Sequence, residues 1–207
     1  SGLKIKETNE INNQLTNVQG VIKSPEGLIL HEKAAKFFLK KIKKNLKLNC
    51  TPTEVIFDNN GVILDGVKYD WVIDCSALQW RKNDLFNISF EPRITHIYKS
   101  NIKNFALMIM DGSFFNIFPL KKNLYTLGTP KYSKFMKFNN INRAKNFYKK
   151  IKKKEEIRRK ELSENIIINF YPNYKKLFKY VGYYKSITTL FNSKKDSRPT
   201  LVKREKK

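Results

Sequence analysis

Residues 70–77, Asp-Trp-Val-Ile-Asp-Cys-Ser-Ala, hold the spacing best suited to chemistry in this 207-residue chain. Val72 and Ile73 form a short apolar run, and three small side chains, Cys75, Ser76 and Ala77, follow it. Such a run reads as a buried strand that ends where the main chain must approach a ligand. Small residues at that point let a phosphate or a ring close in on the backbone. A plain core strand can end the same way, so both readings stand. The other reactive side chains form no constellation. His31 and His96 stand alone, without acidic or cysteine neighbours at metal-ligand spacing, which argues against a metal centre. Cys50 and Cys75 lack Cys-x-x-Cys spacing and are expected to be buried free thiols in a reducing compartment. Asp111 reads as a turn residue, and Glu155-Glu156, in a lysine-rich helix, as solvated.

The formal charge of +24 raises a nucleic-acid reading, yet only seven of the 42 basic residues are arginine. Arginine is the side chain that bidentate recognition of phosphate or guanine favours, and here the lysines spread along the whole chain as a solvated surface would. The basic stretch Arg143–Lys160, with Phe147 and Tyr148, is the place where such binding would occur. Hydrophobic content of 41% and aromatic content of 13% mark a folded protein. No apolar run is long enough to span a membrane and no signal-peptide pattern opens the chain, so a cytoplasmic protein is expected.

The elements that must position these residues follow from periodicity. Ala34, Ala35, Phe38, Leu39, Ile42 and Leu46 share one face of a helix that starts near Glu32. Leu46–Cys50 alternates like a strand. Glu54–Phe57 and Val62–Leu64 are strands around the Asp58-Asn59-Asn60-Gly61 turn, and Asp65-Gly66 turns again into a Trp71–Cys75 strand. This order predicts a parallel α/β unit with an inserted β-meander. Beyond residue 90 come short strands at Ile94–Tyr98, Phe105–Met110, Phe114–Phe118 and Leu124–Leu127, the pattern of an antiparallel sheet. A helix over 141–165, a second over 170–180, a long strand over 181–190 and a last strand over 199–203 complete the chain. The predicted class is α/β (α+β), divided as 1–90, 91–190 and 191–207.

With that layout the chain resembles the D-amino-acid-oxidase-like family of FAD-dependent oxidoreductases. Three stretches carry the resemblance: residues 28–77, closing on Asp-Trp-Val-Ile-Asp-Cys-Ser-Ala; residues 106–128, Ala-Leu-Met-Ile-Met-Asp-Gly-Ser through Leu-Tyr-Thr-Leu-Gly; and residues 196–203, Asp-Ser-Arg-Pro-Thr-Leu-Val-Lys. It implies that Ser76 and Ala77 lie beneath the FAD pyrophosphate, with Ala77 standing where the family has a glycine and its methyl limiting backbone approach. Val55 would meet the adenine through its main chain. Arg198 would pair bidentately with a substrate carboxylate beside the flavin, although by itself it also reads as a surface partner of Asp196. Tyr183 and Tyr184 would border the same pocket, but adjacent strand residues face opposite ways, so only one can point inward. The implied reaction is hydride transfer from an amine or amino acid to flavin, which needs orientation and water exclusion rather than acid–base groups.

FAD proteins of this kind open on a strand, a Gly-x-Gly-x-x-Gly turn and a helix, and these 207 residues contain no such turn. The chain is therefore expected to be an internal piece of a longer flavoenzyme that binds FAD weakly or not at all by itself. Two alternatives are a structural or interaction relative without cofactor and a basic nucleic-acid-binding module.

Overall fold

The computed structural model describes residues 6–7, 14–24, 27, 29–58, 60–76, 88–103, 105–110 and 114–191. Two short strands, β1 (Lys6–Glu7) and β2 (Ile22–Lys23), pair antiparallel. Between them, residues 14–21 close the end of a helix described below. Thr16 N donates to Phe170 O (2.9 Å), and Thr16 Oγ1 and Asn17 Nδ2 both donate to Asn169 O (2.8 Å). Terminal helix carbonyls have no partner within the helix, so this segment supplies them.

Helix α1 (His31–Ile42) forms as its periodicity predicts, with Glu32 in its first turn and Lys40 and Lys41 in its last, which suits the helix dipole. Then comes the meander: β3 (Val55–Asp58), β4 (Gly61–Leu64) and β5 (Val67–Tyr69), paired antiparallel in that order. Two features fix its register. A side chain at Gly61 would place its Cβ 2.5 Å from the Tyr69 carbonyl oxygen. Asp65 and Gly66 both take left-handed φ (46° and 80°), the geometry of a tight hairpin turn. Asp65 Oδ1 also accepts from Thr53 N, Thr53 Oγ1 and Glu54 N, each at 2.9 Å, and these bonds hold its carboxyl below the usual range.

Residues 88–191 build a five-stranded antiparallel sheet under helices. Its strands are β6 (Ile88–Lys99), β7 (Leu107–Ile109), β8 (Phe115–Lys121), β9 (Leu124–Gly128) and β10 (Lys179–Phe191), in the spatial order β10-β6-β9-β8-β7. Between β9 and β10 lie α2 (Pro130–Ser133), α3 (Ile141–Lys150), α4 (Lys153–Phe170) and α5 (Tyr174–Leu177). Asn140 caps α3, its Oδ1 accepting from Asn142 N and Arg143 N. The main core joins Tyr98, Phe115, Ile117, Tyr125 and Leu127 of the sheet to Ile167 of α4 and to Tyr171, Tyr174 and Phe178. A smaller cluster packs Ala144 of α3 on Ile88 and Phe90.

The mixed helix-and-sheet class matches the expectation, and several details differ from it. Every strand pair among the described residues is antiparallel. Residues 71–75 pair with no strand, and Trp71 (88%) and Ile73 (86%) are exposed. A strand apolar on both faces needs neighbours on both, and the described residues supply none. Leu46–Cys50 is irregular as well, and Cys50 and Cys75 are exposed rather than buried. The helix expected over 141–165 is two helices, broken by extended backbone at Ile151 and Lys152. The helix expected over 170–180 is only the single turn of α5. The strand expected over 199–203 lies outside the described residues.

Candidate functional site

Cross-strand register sorts the long sheet into two faces, because paired residues share a face and successive residues alternate. On β6, Phe90, Ile94, His96 and Tyr98 face the helices. Tyr183 pairs with His96 and Lys185 with Ile94, so both turn to that same covered side. Glu91, Arg93 and Thr95 face the other way. Thr188, Ser186 and Tyr184 of β10 lie beside them, with Asn116 of β8 and Thr126 of β9 further along the same face.

The covered face is polar where α4 crosses it. Tyr98 Oη donates to Glu164 Oε1 (2.9 Å), and Lys160 Nζ donates to Glu164 Oε2 (3.0 Å). Lys185 Nζ lies 3.0 Å from Glu156 Oε1. Tyr183 hydrogen-bonds the same Glu156, and this bond, more than its burial, raises the Tyr183 hydroxyl to about 12. Thr129 Oγ1 and Ser163 Oγ share a hydrogen bond of 2.6 Å. His96 sits among these groups at 1% exposure, with no hydrogen-bond partner on either ring nitrogen among the described residues. Burial lowers its pKa to about 4, so it is neutral near pH 7. The expectation that Glu155 and Glu156 are solvated fails for Glu156, which is buried and ion-paired. Glu155 is half-buried against Arg158 and Arg159.

The opposite face is more open and carries an ion pair that sequence reasoning missed. Nε and Nη2 of Arg93 both donate to Glu91 Oε1, at 2.8 and 2.7 Å. Glu91 is buried, while Arg93 keeps about a third of its side chain exposed. Its Nη1 has no partner among the described residues, so the guanidinium retains a donor edge for an anion. Its i, i+2 spacing from Glu91 within a strand was the signal that placed both on one face. Asn116 lies across Gly128, where an added Cβ would stand 2.6 Å from Asn116 Oδ1, so glycine makes room for the amide. Tyr184, half-exposed, is the member of the tyrosine pair that reaches this face.

Of the other sequence-derived positions, Val55 and Ser76 are described. Val55 is half-buried on β3 and belongs to neither apolar cluster. Ser76 N donates to Asp74 Oδ1 (2.7 Å), while its Oγ is buried without a hydrogen-bond partner among the described residues. Ala77 and Arg198 lie outside the described residues. Phe147 and Tyr148 are engaged in packing. Phe147 contacts Phe135 and Phe138, and Tyr148 Oη bonds main-chain atoms of Arg93 and Ser186. Among the described residues no group of His, Cys, Asp and Glu could hold a metal ion, and no helix is long and apolar enough to cross a membrane.

No family model and no solved structure matches the chain. It is similar to the FAD-dependent monooxygenase FPY4 of Fusarium mangiferae, with 23% identity over 191 residues. The match takes in 92% of this chain and 52% of that protein, so nearly all of the chain aligns with about half the length of a flavoenzyme.

Proposed function

We propose that this chain forms part of an FAD-dependent oxidoreductase, with the open face of its five-stranded sheet as the wall on the substrate side. The observation that carries the reading is the similarity to an FAD-dependent monooxygenase along nearly the whole chain. Because the chain spans about half of that relative, the remaining elements of the flavin site belong to a longer protein. The uncovered apolar sides of α1 and residues 71–73 support this, since they present surface that a further sheet or helix would bury.

The residues present fit the cofactor at one point. Ser76 has a buried hydroxyl without a partner among the described residues, on the segment the resemblance places under a pyrophosphate, and a phosphate oxygen would satisfy it. Ser76 and Ala77 would hold the pyrophosphate, and Val55 the adenine. Bound flavin supplies two-electron acceptance from the substrate. The chain's own part is orientation. Arg93, already fixed by Glu91, offers its free edge to a carboxylate, and Tyr184 borders the pocket; Arg198, outside the described residues, would supply a second fork by the resemblance alone. This donor set suits an amine or amino-acid oxidation. The relative's name favours a second reading, oxygenation of the substrate, on the same wall.

Flavin titration tests the proposal. The chain alone should quench FAD fluorescence weakly or not at all. Fused behind a strand–Gly-x-Gly-x-x-Gly–helix half it should take up flavin stoichiometrically, and Ser76→Val should reduce that uptake. No uptake by the fusion, with the sheet still folded by circular dichroism, would favour a cofactor-less relative. Hydrogen peroxide release from amino acids without added reductant separates the oxidase from the oxygenase.

A further inference from the structure

A concavity lies in the helical layer, lined by none of the residues named on the open sheet face. It is a largely open hollow of about 560 Å³ between residues 135–136, the end of α3 and the first two turns of α4, and no sheet residue among the described residues lines it. This size lies within the usual range for small-molecule sites. Phe135, Met136, Phe147 and Ile151 form an apolar floor, and Met136 is 60% exposed into it.

The floor is held rigidly. Arg159 stacks on Phe135, its Cζ 3.8 Å from the ring centroid, and Nη1 donates to the carbonyls of Tyr132 and Lys134 at 2.7 Å. Phe147 meets the Phe135 ring edge-on at 5.4 Å. Around this floor stand five cations and one carboxylate. That carboxylate, Glu155, is fully engaged: Arg158 binds both its oxygens and Arg159 one of them. Lys150, Lys152 and Lys154 then have no acidic partner among the described residues. Two of them flank the start of α4, where the helix dipole is also positive and Lys152 provides no side-chain cap. Lysines gathered around an apolar floor, at the wrong end of a helix dipole, repel one another unless an anion lies between them.

We propose that this cavity binds a small amphipathic anion. The ligand has a flat apolar body of one or two rings on Phe135, Met136 and Phe147, and a phosphate, sulfonate or carboxylate head at Lys150, Lys152 and Lys154. A run of nucleic-acid bases fits less well, because a hollow of about 560 Å³ takes one or two rings rather than a series of stacked bases.

Calorimetric titration of the full chain at low salt, with 1-naphthyl phosphate, 1-naphthol and inorganic phosphate as probes, tests this without any flavin. Naphthyl phosphate should bind at least about tenfold tighter than either fragment, and added salt should weaken it. The exposed pair Lys150→Glu/Lys154→Glu should lower its affinity about tenfold or more, and Met136→Glu should weaken binding as well. Lys175→Glu/Lys176→Glu, an equal charge change elsewhere, should leave it within about twofold. Equal binding of naphthol or of inorganic phosphate would overturn the proposal, as would an equal loss in the control pair. Displacement by a single-stranded oligonucleotide or by phosphatidylserine vesicles at lower concentration would assign the surface to a polymer or a membrane instead.

Discussion

Residues 29–76 and 88–191 carry the same sequence marks of a folded domain, amphipathic periodicity and β-branched runs, yet they bury very different amounts. Among the described residues, every buried residue other than Leu15 lies at or beyond Ile88. Phe37, Phe38, Leu39 and Ile42 of α1 all remain exposed, as do Ile56 and Phe57 of the meander. In the later region Phe90, Ile94, Phe115 and Ile117 are closed from solvent. Periodicity therefore states which side of an element is apolar, while a cover must come from another element. The meander holds itself by local bonds, the Asp65 clamp among them. The sheet is held by a shared core.

The contrast is sharpened most by truncating one aromatic in each region. Phe115→Ala should cost about 3–5 kcal/mol, because it opens a cavity in a closed core. Phe38→Ala on α1 should stay within about 0.5 kcal/mol, read for both variants as shifts in urea midpoint. Equal losses would mean that α1 is covered in solution. The next effect belongs to the sheet region alone and depends on pH. His96 has a folded pKa of about 4 against 6.5 for the ordinary group, so below pH 6.5 the unfolded chain takes up the proton first. Its contribution is fully present above pH 6.5 and is lost as pH falls towards 4. About 2 kcal/mol should go between pH 7 and pH 5, and His96→Leu should flatten that slope. The smallest effect belongs to the meander. Lys68→Ala removes an exposed ion pair with Asp58 at 2.7 Å and should change stability by no more than about 0.5 kcal/mol.

What could be foreseen from the residues divides along similar lines. The α1 periodicity, the Asp65-Gly66 turn and the closely spaced strands of the antiparallel sheet were legible because each signal is local. The break at Ile151 and Lys152 was not, since no glycine or proline marks it and the surrounding lysines are good helix formers. The burial of Glu156 was hidden as well, because its partner Lys185 is far along the chain on β10. Of the site, alternation along a strand said that Tyr183 and Tyr184 part ways, and only the register with His96 and Thr95 said which goes where. Arg93 was passed over because its meaning comes from Glu91 and from the strands beside it, not from a motif.

The pairing of β6 with β10 bears on how the protein is made. These strands are partners over twelve residues of β6, yet the last residues of β10 leave the ribosome about a hundred residues after the first residues of β6. Sheet contacts of such long sequence separation form slowly. Until β10 arrives, a nascent chain holds β6 with one long edge open, able to pair with any other unpaired strand. Slower translation beyond β9 would prolong that interval, and the yield of native protein should depend more on synthesis rate here than the modest size of the sheet suggests.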